Sequence, residues 1–267
     1  MKRPDLVFNF IGVSVADWNP AFKFFSEVLG FKYGLEPKHG DWAILGGAWD
    51  AYHYQGSYSL IFELFDHGRE VPERHWGLNQ GVRPGLHVSN LQKVMERFDF
   101  SYTVEQRPWG NTAEFSTTEG IRFAFAEIPD KPFSDDLFVP FIGHVAIKCA
   151  DFEAMQHFYC DVLGFTKVEA GADYLVLAQS NEHPLVILER GGSESKYDLE
   201  NTFWETNSVR AVPVFLSMTA ADIQSAYAYL RSNDVIVLRE IITNPSWGGT
   251  DFHLVDPDGN GIQIVAY

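Results

Sequence analysis

The side chains able to ligate a metal, move protons or act as nucleophiles are few and scattered, with nine histidines and two cysteines among 267 residues. His67 and His75 stand eight residues apart in DHGREVPERHWG beside acidic neighbours, a spacing that would suit a divalent metal. A solvated loop over a pocket is the simpler reading of so polar a run. His39, His53, His157 and His183 share no partner pattern, and His87 alternates with the apolar residues of its strand, so it could face an enclosed cup. No glycine-rich phosphate loop, CxxC pair, HExxH or GxSxG occurs, so a nucleotide cofactor and serine-hydrolase chemistry have no support. Cys149 and Cys160 are too few for a disulfide framework, and reduced thiols in a cytoplasm are the expectation.

The elements that must position any site are found by comparing the chain with itself. Residues 16–31, ADWNPAFKFFSEVLGF, and residues 150–165, ADFEAMQHFYCDVLGF, match at an offset of 134 with seven identities. A period this long means two copies of a whole domain. In each copy a short apolar run, residues 8–15 or 141–149, leads to Ala-Asp and an amphipathic segment, which reads as strand, cap and helix. Asp17 and Asp151 suit the N-cap, and Gly30 and Gly164 the left-handed stop, each followed by a phenylalanine that packs back. Two or three strands follow (residues 41–45 and 59–65, or 173–178 and 185–189), and then a second strand–helix unit at 85–98 or 212–230. Each copy ends in a Trp-Gly pair and two strands, the last joined by DPDGN at 256–260, a strong turn signal.

The fold class expected is α+β, with two tandem domains of paired β-α-β-β-β modules. Residues 1–128 form the N-terminal domain, 129–140 a linker rich in proline and acidic residues, and 141–267 the C-terminal domain. The aromatic content, 22 Phe, 11 Tyr and 7 Trp, is enough to build cores and line pockets. A net charge of −16 argues against a nucleic-acid partner and an anionic membrane surface. The N-terminal apolar run is short and broken by Asn9, so neither a signal peptide nor a membrane span is expected.

The helix ends KFFSEVLGF and HFYCDVLGF and the closing hairpin DPDGNGIQIVAY resemble the vicinal oxygen chelate superfamily, which includes glyoxalase I, extradiol dioxygenases, fosfomycin-resistance enzymes and bleomycin-binding proteins. The resemblance covers the whole chain. It implies modules curled into half-open barrels, with a divalent metal held by side chains of the first and last strand of each module. In the second domain those positions are His144, Glu189, about Pro213, and Gln263; in the first they are Phe10, Glu63, about Arg83 and about Ala124. The first domain is therefore expected to hold no metal. In the second, proline cannot ligate and an amide oxygen brings no charge.

The resemblance also places His253, just before the DPDG turn, where an acid–base group or a replacement ligand would face the cup. With His144, Glu189 and Gln263 it would converge on one aromatic cavity of the C-terminal domain. Two functions remain open. One is an enzyme of the glyoxalase or dioxygenase type, with Fe, Mn or Zn on His144, Glu189 and Gln263, catalytic roles for His253 and Glu189, and His253 and Trp247 touching a substrate with vicinal oxygens. The other is a metal-free binding or resistance protein of the same fold. Bland readings stand beside these: Glu189 could simply pair with Arg190, and Trp247, like Trp109, could anchor a loop. The partner expected is a small molecule, and the protein a cytoplasmic monomer or homodimer.

Overall fold

Runs of β-branched and aromatic residues make the strands, and the polar residue after each opening strand starts a helix. The computed structural model describes residues 2–15, 18–29, 32–33, 42–46, 61–66, 81–96, 102–117, 121–127, 141–179, 185–191, 214–243 and 248–267. Four modules follow one another. Module one has β1 (Leu6–Val15), α1 (Trp18–Lys23), β2 (Lys32–Tyr33), β3 (Trp42–Gly46) and β4 (Ile61–Asp66). Module two has β5 (Val82–Val88), α2 (Leu91–Met95), β6 (Val104–Arg107), β7 (Gly110–Ser116) and β8 (Arg122–Glu127). Module three has β9 (Phe141–Cys149), α3 (Phe152–His157), β10 (Thr166–Ala170), β11 (Tyr174–Ala178) and β12 (Leu185–Arg190). Module four has β13 (Val214–Ala220), α4 (Ile223–Ser232), β14 (Val237–Thr243), β15 (Thr250–Val255) and β16 (Gly261–Ala266).

The caps are as the sequence chemistry requires. Asn90, Asp151 and Asp222 accept from the backbone N–H three residues on, at 2.9, 3.0 and 3.0 Å. Each such cap is worth about 1 kcal/mol. The repeated FxxxVLGF stretch does not continue as α-helix. Phe24–Val28 and Phe158–Val162 are π-helical turns, closed by Leu29 N–H to Phe24 and Leu163 N–H to Phe158, both at 2.9 Å. Gly164, at φ +89°, then lets Phe165 N–H reach the Tyr159 carbonyl at 2.9 Å. Asp17, Gly30 and the whole of the expected linker, residues 129–140, lie outside the described residues.

Eight strands form each of two sheets, in the orders β14-β15-β16-β13-β1-β4-β3-β2 and β10-β11-β12-β9-β5-β8-β7-β6. Within a module the first strand runs parallel to the last, and modules join through antiparallel first strands: β1 with β13, and β5 with β9. The paired modules are therefore one with four and two with three. The expectation that modules three and four share a cup is corrected by this pairing. Each half of the sequence contributes one module to each sheet.

The helices cover the outer faces. Val82, Leu86, Val145, Ile147, Leu216 and Met218 point outward from their strands into one buried cluster with Met155, Phe158, Tyr159, Ala226 and Leu230. Across that core the DPDGN turn of module four docks on module three. Asp256 accepts from Asp258 N–H (3.0 Å), Asn260 N–H (2.8 Å), Asn260 Nδ2 (2.8 Å) and Tyr159 O–H (3.2 Å). Asp258 in turn accepts from the N–H groups of Ala150 and Asp151, at 2.7 and 3.2 Å, where α3 begins. Cys149 and Cys160 are not bonded to each other, and burial pushes the Cys149 thiol far above its ordinary pKa, which makes it a packing residue. Among the described residues no helix is long and apolar enough to cross a membrane.

Asp256→Ala would leave four buried donors without an acceptor and should cost about 3–5 kcal/mol of unfolding free energy in urea titration. A loss below about 1 kcal/mol would show that the turn does not join the modules.

Candidate functional site

Inward-facing side chains differ sharply between the two cups. In the sheet of modules two and three, Gly85 on β5 faces His144 on β9, and a Cβ on Gly85 would fall 2.1 Å from the His144 ring. The glycine lets the imidazole lie across the strand pair. His87 lies over Gly143 in the same manner, 1.9 Å from where a Cβ would be, and His87 Nε2 meets His144 Nδ1 at 2.9 Å. The other nitrogen of His144, Nε2, is buried and has no hydrogen-bond partner among the described residues. Trp109, at the turn between β6 and β7, packs edge-on against His144 at 6.2 Å and against Tyr174 at 5.8 Å, and its Nε1 is likewise buried and unpartnered.

Beside this pair lies a buried ionic cluster. Arg83, 2% exposed, bridges Glu114 and Glu189, and Arg107 reaches the other oxygen of Glu189 at 3.1 Å. Arg190 turns away to Glu153, at 2.8 Å, so it is not the partner of Glu189. Burial, reinforced by the positive charge of Arg83, lowers the pKa of His144 to about 3. The ring is neutral at pH 7. A cavity of about 330 Å³ lies over β6 and β7, lined by Tyr102, Thr103, Glu105, Arg107, Thr112 and Glu114, and so shares two residues with the ionic cluster.

The cup of modules one and four has Phe215 where the other has His144. Its ring lies over Gly12, with a Cβ there 2.0 Å from Cζ. Asp251 and His253 on β15 and Gln263 on β16 are buried, with Arg239 on β14 closing the group. Arg239 donates to Asp251 at 2.6 Å and lies 2.9 Å from His253 Nε2, while Gln263 Nε2 donates to Asp251 at 2.7 Å. Burial alone would raise Asp251, but the contacts from His253, Arg239 and Gln263 outweigh it and hold the carboxyl at about 2.

The expected convergence is thus corrected. His144 and Glu189 share one sheet, and His253 and Gln263 share the other. Glu189 is also two residues beyond the last-strand ligand position: Gln263 stands opposite Ser217, the place that Ile187 fills beside β9, whereas Glu189 stands opposite Lys148. Pro213 and Trp247 lie outside the described residues. Sequence reasoning missed Phe215, and the signal was available by counting seven residues back from each helix N-cap: Asp151 gives His144, Asn90 gives Arg83, Asp222 gives Phe215. It also missed that Arg83 and His87 belong to the cup of His144, because nothing local in β5 names its partner strand.

A divalent metal does not fit the described residues of the cup of His144. In the cup of His144 the four first- and last-strand positions are Arg83, Ala124, His144 and Ile187, and the nearby Glu189 has both oxygens engaged by arginines. A buried guanidinium beside the one imidazole would repel a second cation. Among the described residues no three histidine, cysteine, aspartate or glutamate side chains are grouped to hold a metal.

Comparison with known proteins accords with this fold. Residues 141–264 match the model of the Glyoxalase/Bleomycin resistance protein/Dioxygenase superfamily. The matched segment, a little under half of the chain, is similar to that superfamily. Glyoxalase I from Zea mays superposes with a TM-score of 0.70 at 15% identity, covering 98% of this chain and 92% of that one. A protein of Bacillus subtilis provisionally assigned as a dioxygenase gives 0.66 at 12% identity, covering 99% and 86%. Likenesses at such identity carry the superfamily's fold across the whole chain. No curated protein sequence matches. Members of the superfamily commonly use divalent metals, and this chain departs from them at the ligand positions.

Two outcomes follow from the cup of His144. Its folded pKa is depressed from 6.5 to about 3, so the unfolded chain binds the extra proton between those values. The contribution of His144 is fully present above pH 6.5 and should fall by up to about 1.4 kcal/mol per pH unit below it, read as the difference between wild type and His144→Gln in denaturation curves taken from pH 7 to 4, because Asp256, raised by burial to about 7, pulls total stability the other way. Arg83→Met leaves one oxygen of buried Glu189 unpaired, with only Arg107 on the other, and should destabilise by about 2–4 kcal/mol, with part of the loss recovered in Arg83→Met/Glu189→Gln.

Proposed function

We propose that the chain binds a small oxygen-bearing organic molecule in the cup of modules two and three, using protein side chains alone. One observation carries this reading: His144 Nε2 and Trp109 Nε1 are both buried, unpartnered and on adjacent rings. Each unpaired group costs about 1–3 kcal/mol, which a ligand removes. The indole can only donate, so the ligand presents an oxygen acceptor there, and a hydroxyl or enol satisfies the imidazole in either tautomer. The cavity of about 330 Å³ over β6 and β7, which shares Arg107 and Glu114 with the ionic cluster, is at the small end of ligand sites, and Thr103, Thr112 and Arg107 offer polar groups for a second oxygen.

Between the two functions left open by the sequence, this set supports the metal-free one. Catalysis by His144 as a general base is disfavoured by magnitude. With a pKa of about 3, charging the ring at pH 7 costs about 5 kcal/mol, so it serves better to orient a ligand than to take its proton.

Catechol and 3-hydroxy-2-butanone, which both carry vicinal oxygens, are suitable calorimetric probes. Binding should be the same in EDTA and in added Mn(II) or Zn(II), and Trp109→Phe, which keeps the ring and deletes the N–H, should weaken it about tenfold, or about 1.4 kcal/mol. Binding that requires a metal, or that is unchanged in Trp109→Phe, would refute the proposal.

A further inference from the structure

The cup of modules one and four carries a second set of unpaired polar atoms, ordered by strand register. Ser217 on β13 stands opposite Gln263 on β16, Gln263 opposite His253 on β15, and His253 opposite Arg239 on β14. Asp251, two residues before His253 on the same face, accepts from Gln263 Nε2 at 2.7 Å and from Arg239 at 2.6 Å. An ionised carboxylate can only accept, so Gln263 is obliged to turn its NH₂ to Asp251 and its carbonyl oxygen away. That oxygen and the Ser217 hydroxyl are both buried, on side chains 1% and 0% exposed, and neither has a hydrogen-bond partner among the described residues.

The surroundings narrow what could use them. Arg239 and Asp251 form an ion pair within the row. Phe10 stands beside Ser217 on the neighbouring strand, and the ring of Phe215 lies over Gly12, so the first-strand positions of this cup are both aromatic. Two fixed polar atoms on adjacent strands, one an obligate acceptor and the other a hydroxyl free to donate, next to two phenyl rings, describe a mould for a flat molecule with a donor and an acceptor on one edge.

We propose that this second cup binds a neutral aromatic molecule of the carboxamide or lactam type. The ligand N–H donates to Gln263 Oε1, its carbonyl oxygen accepts from Ser217 Oγ–H, and its ring packs on Phe10 and Phe215. The site is independent of the cup of His144 and stands whether or not that cup binds an oxygen-bearing ligand.

Benzamide and 2-pyridone are the probes, with benzoate and toluene as controls, titrated against the full chain by saturation-transfer NMR and calorimetry. Both probes should bind, the controls at least tenfold more weakly. Ser217→Ala and Gln263→Leu should each weaken benzamide at least tenfold, whereas Trp109→Phe should leave it unchanged. Because the Ser217 hydroxyl bonds to no protein group, Ser217→Ala should keep or raise the melting temperature, which preserves the test should Gln263→Leu fold poorly. No binding of either probe at millimolar concentration, or equal binding by Ser217→Ala, would overturn the proposal. So would a lowered melting temperature in Ser217→Ala with unaltered binding, which would mean that a buried water alone satisfies the pair.

Discussion

Every module leaves one edge of its first strand open, because the order within a module places that strand at the margin, beside the last strand and next to nothing else. An open edge of this length is a row of unsatisfied N–H and C=O groups, and the chain closes it by pairing first strands antiparallel, β1 with β13 and β5 with β9. The partner each edge takes decides which side chains share a cup. By pairing the outermost modules with each other and the inner two with each other, the fold gives Arg83 and His87 to His144, and Phe10 to Gln263 and His253.

The same joint builds both floors. Where two first strands meet, a glycine on one, Gly85 or Gly12, allows a ring on the other, His144 or Phe215, to lie across the seam. The device is shared and the chemistry is not. A neutral imidazole with an ionic cluster beside it occupies one cup, and aromatic rings with a polar row containing the Arg239–Asp251 ion pair occupy the other. The outward faces, by contrast, merge into one hydrophobic cluster, and the turn at Asp256 to Asn260 ties module four to the start of α3, so the two sheets are held back to back.

Much of the local structure was legible in the sequence. The capping role of Asp151, the stop at Gly164 and the turn at DPDGN each depend on a few neighbouring residues, and all three form as their chemistry requires. The superfamily was legible for the same reason, since its marks are short. What was not legible is long-range. All four first strands have similar edges, so no residue in β5 announces that β9 will cover it, and the four candidate site residues were accordingly placed in one cavity when they occupy two. Glu189 illustrates the second gap: its distance along β12 depends on register with β9, and two residues' displacement carries it from the ligand position to the arginines. The π-helical turns at Phe24 and Phe158 show no signature distinct from the α-helical pattern they extend.

Cross-strand nuclear Overhauser effects in uniformly labelled protein test the module pairing most directly, because antiparallel partners bring backbone protons within a few ångströms. Contacts between Val82 and Ile147 and between Ile11 and Leu216, which face each other across the two joints, are the expected result. Contacts joining β9 to β13 and β1 to β5 in their place would return His144, Glu189, His253 and Gln263 to a single cup and contradict the division of the site into two.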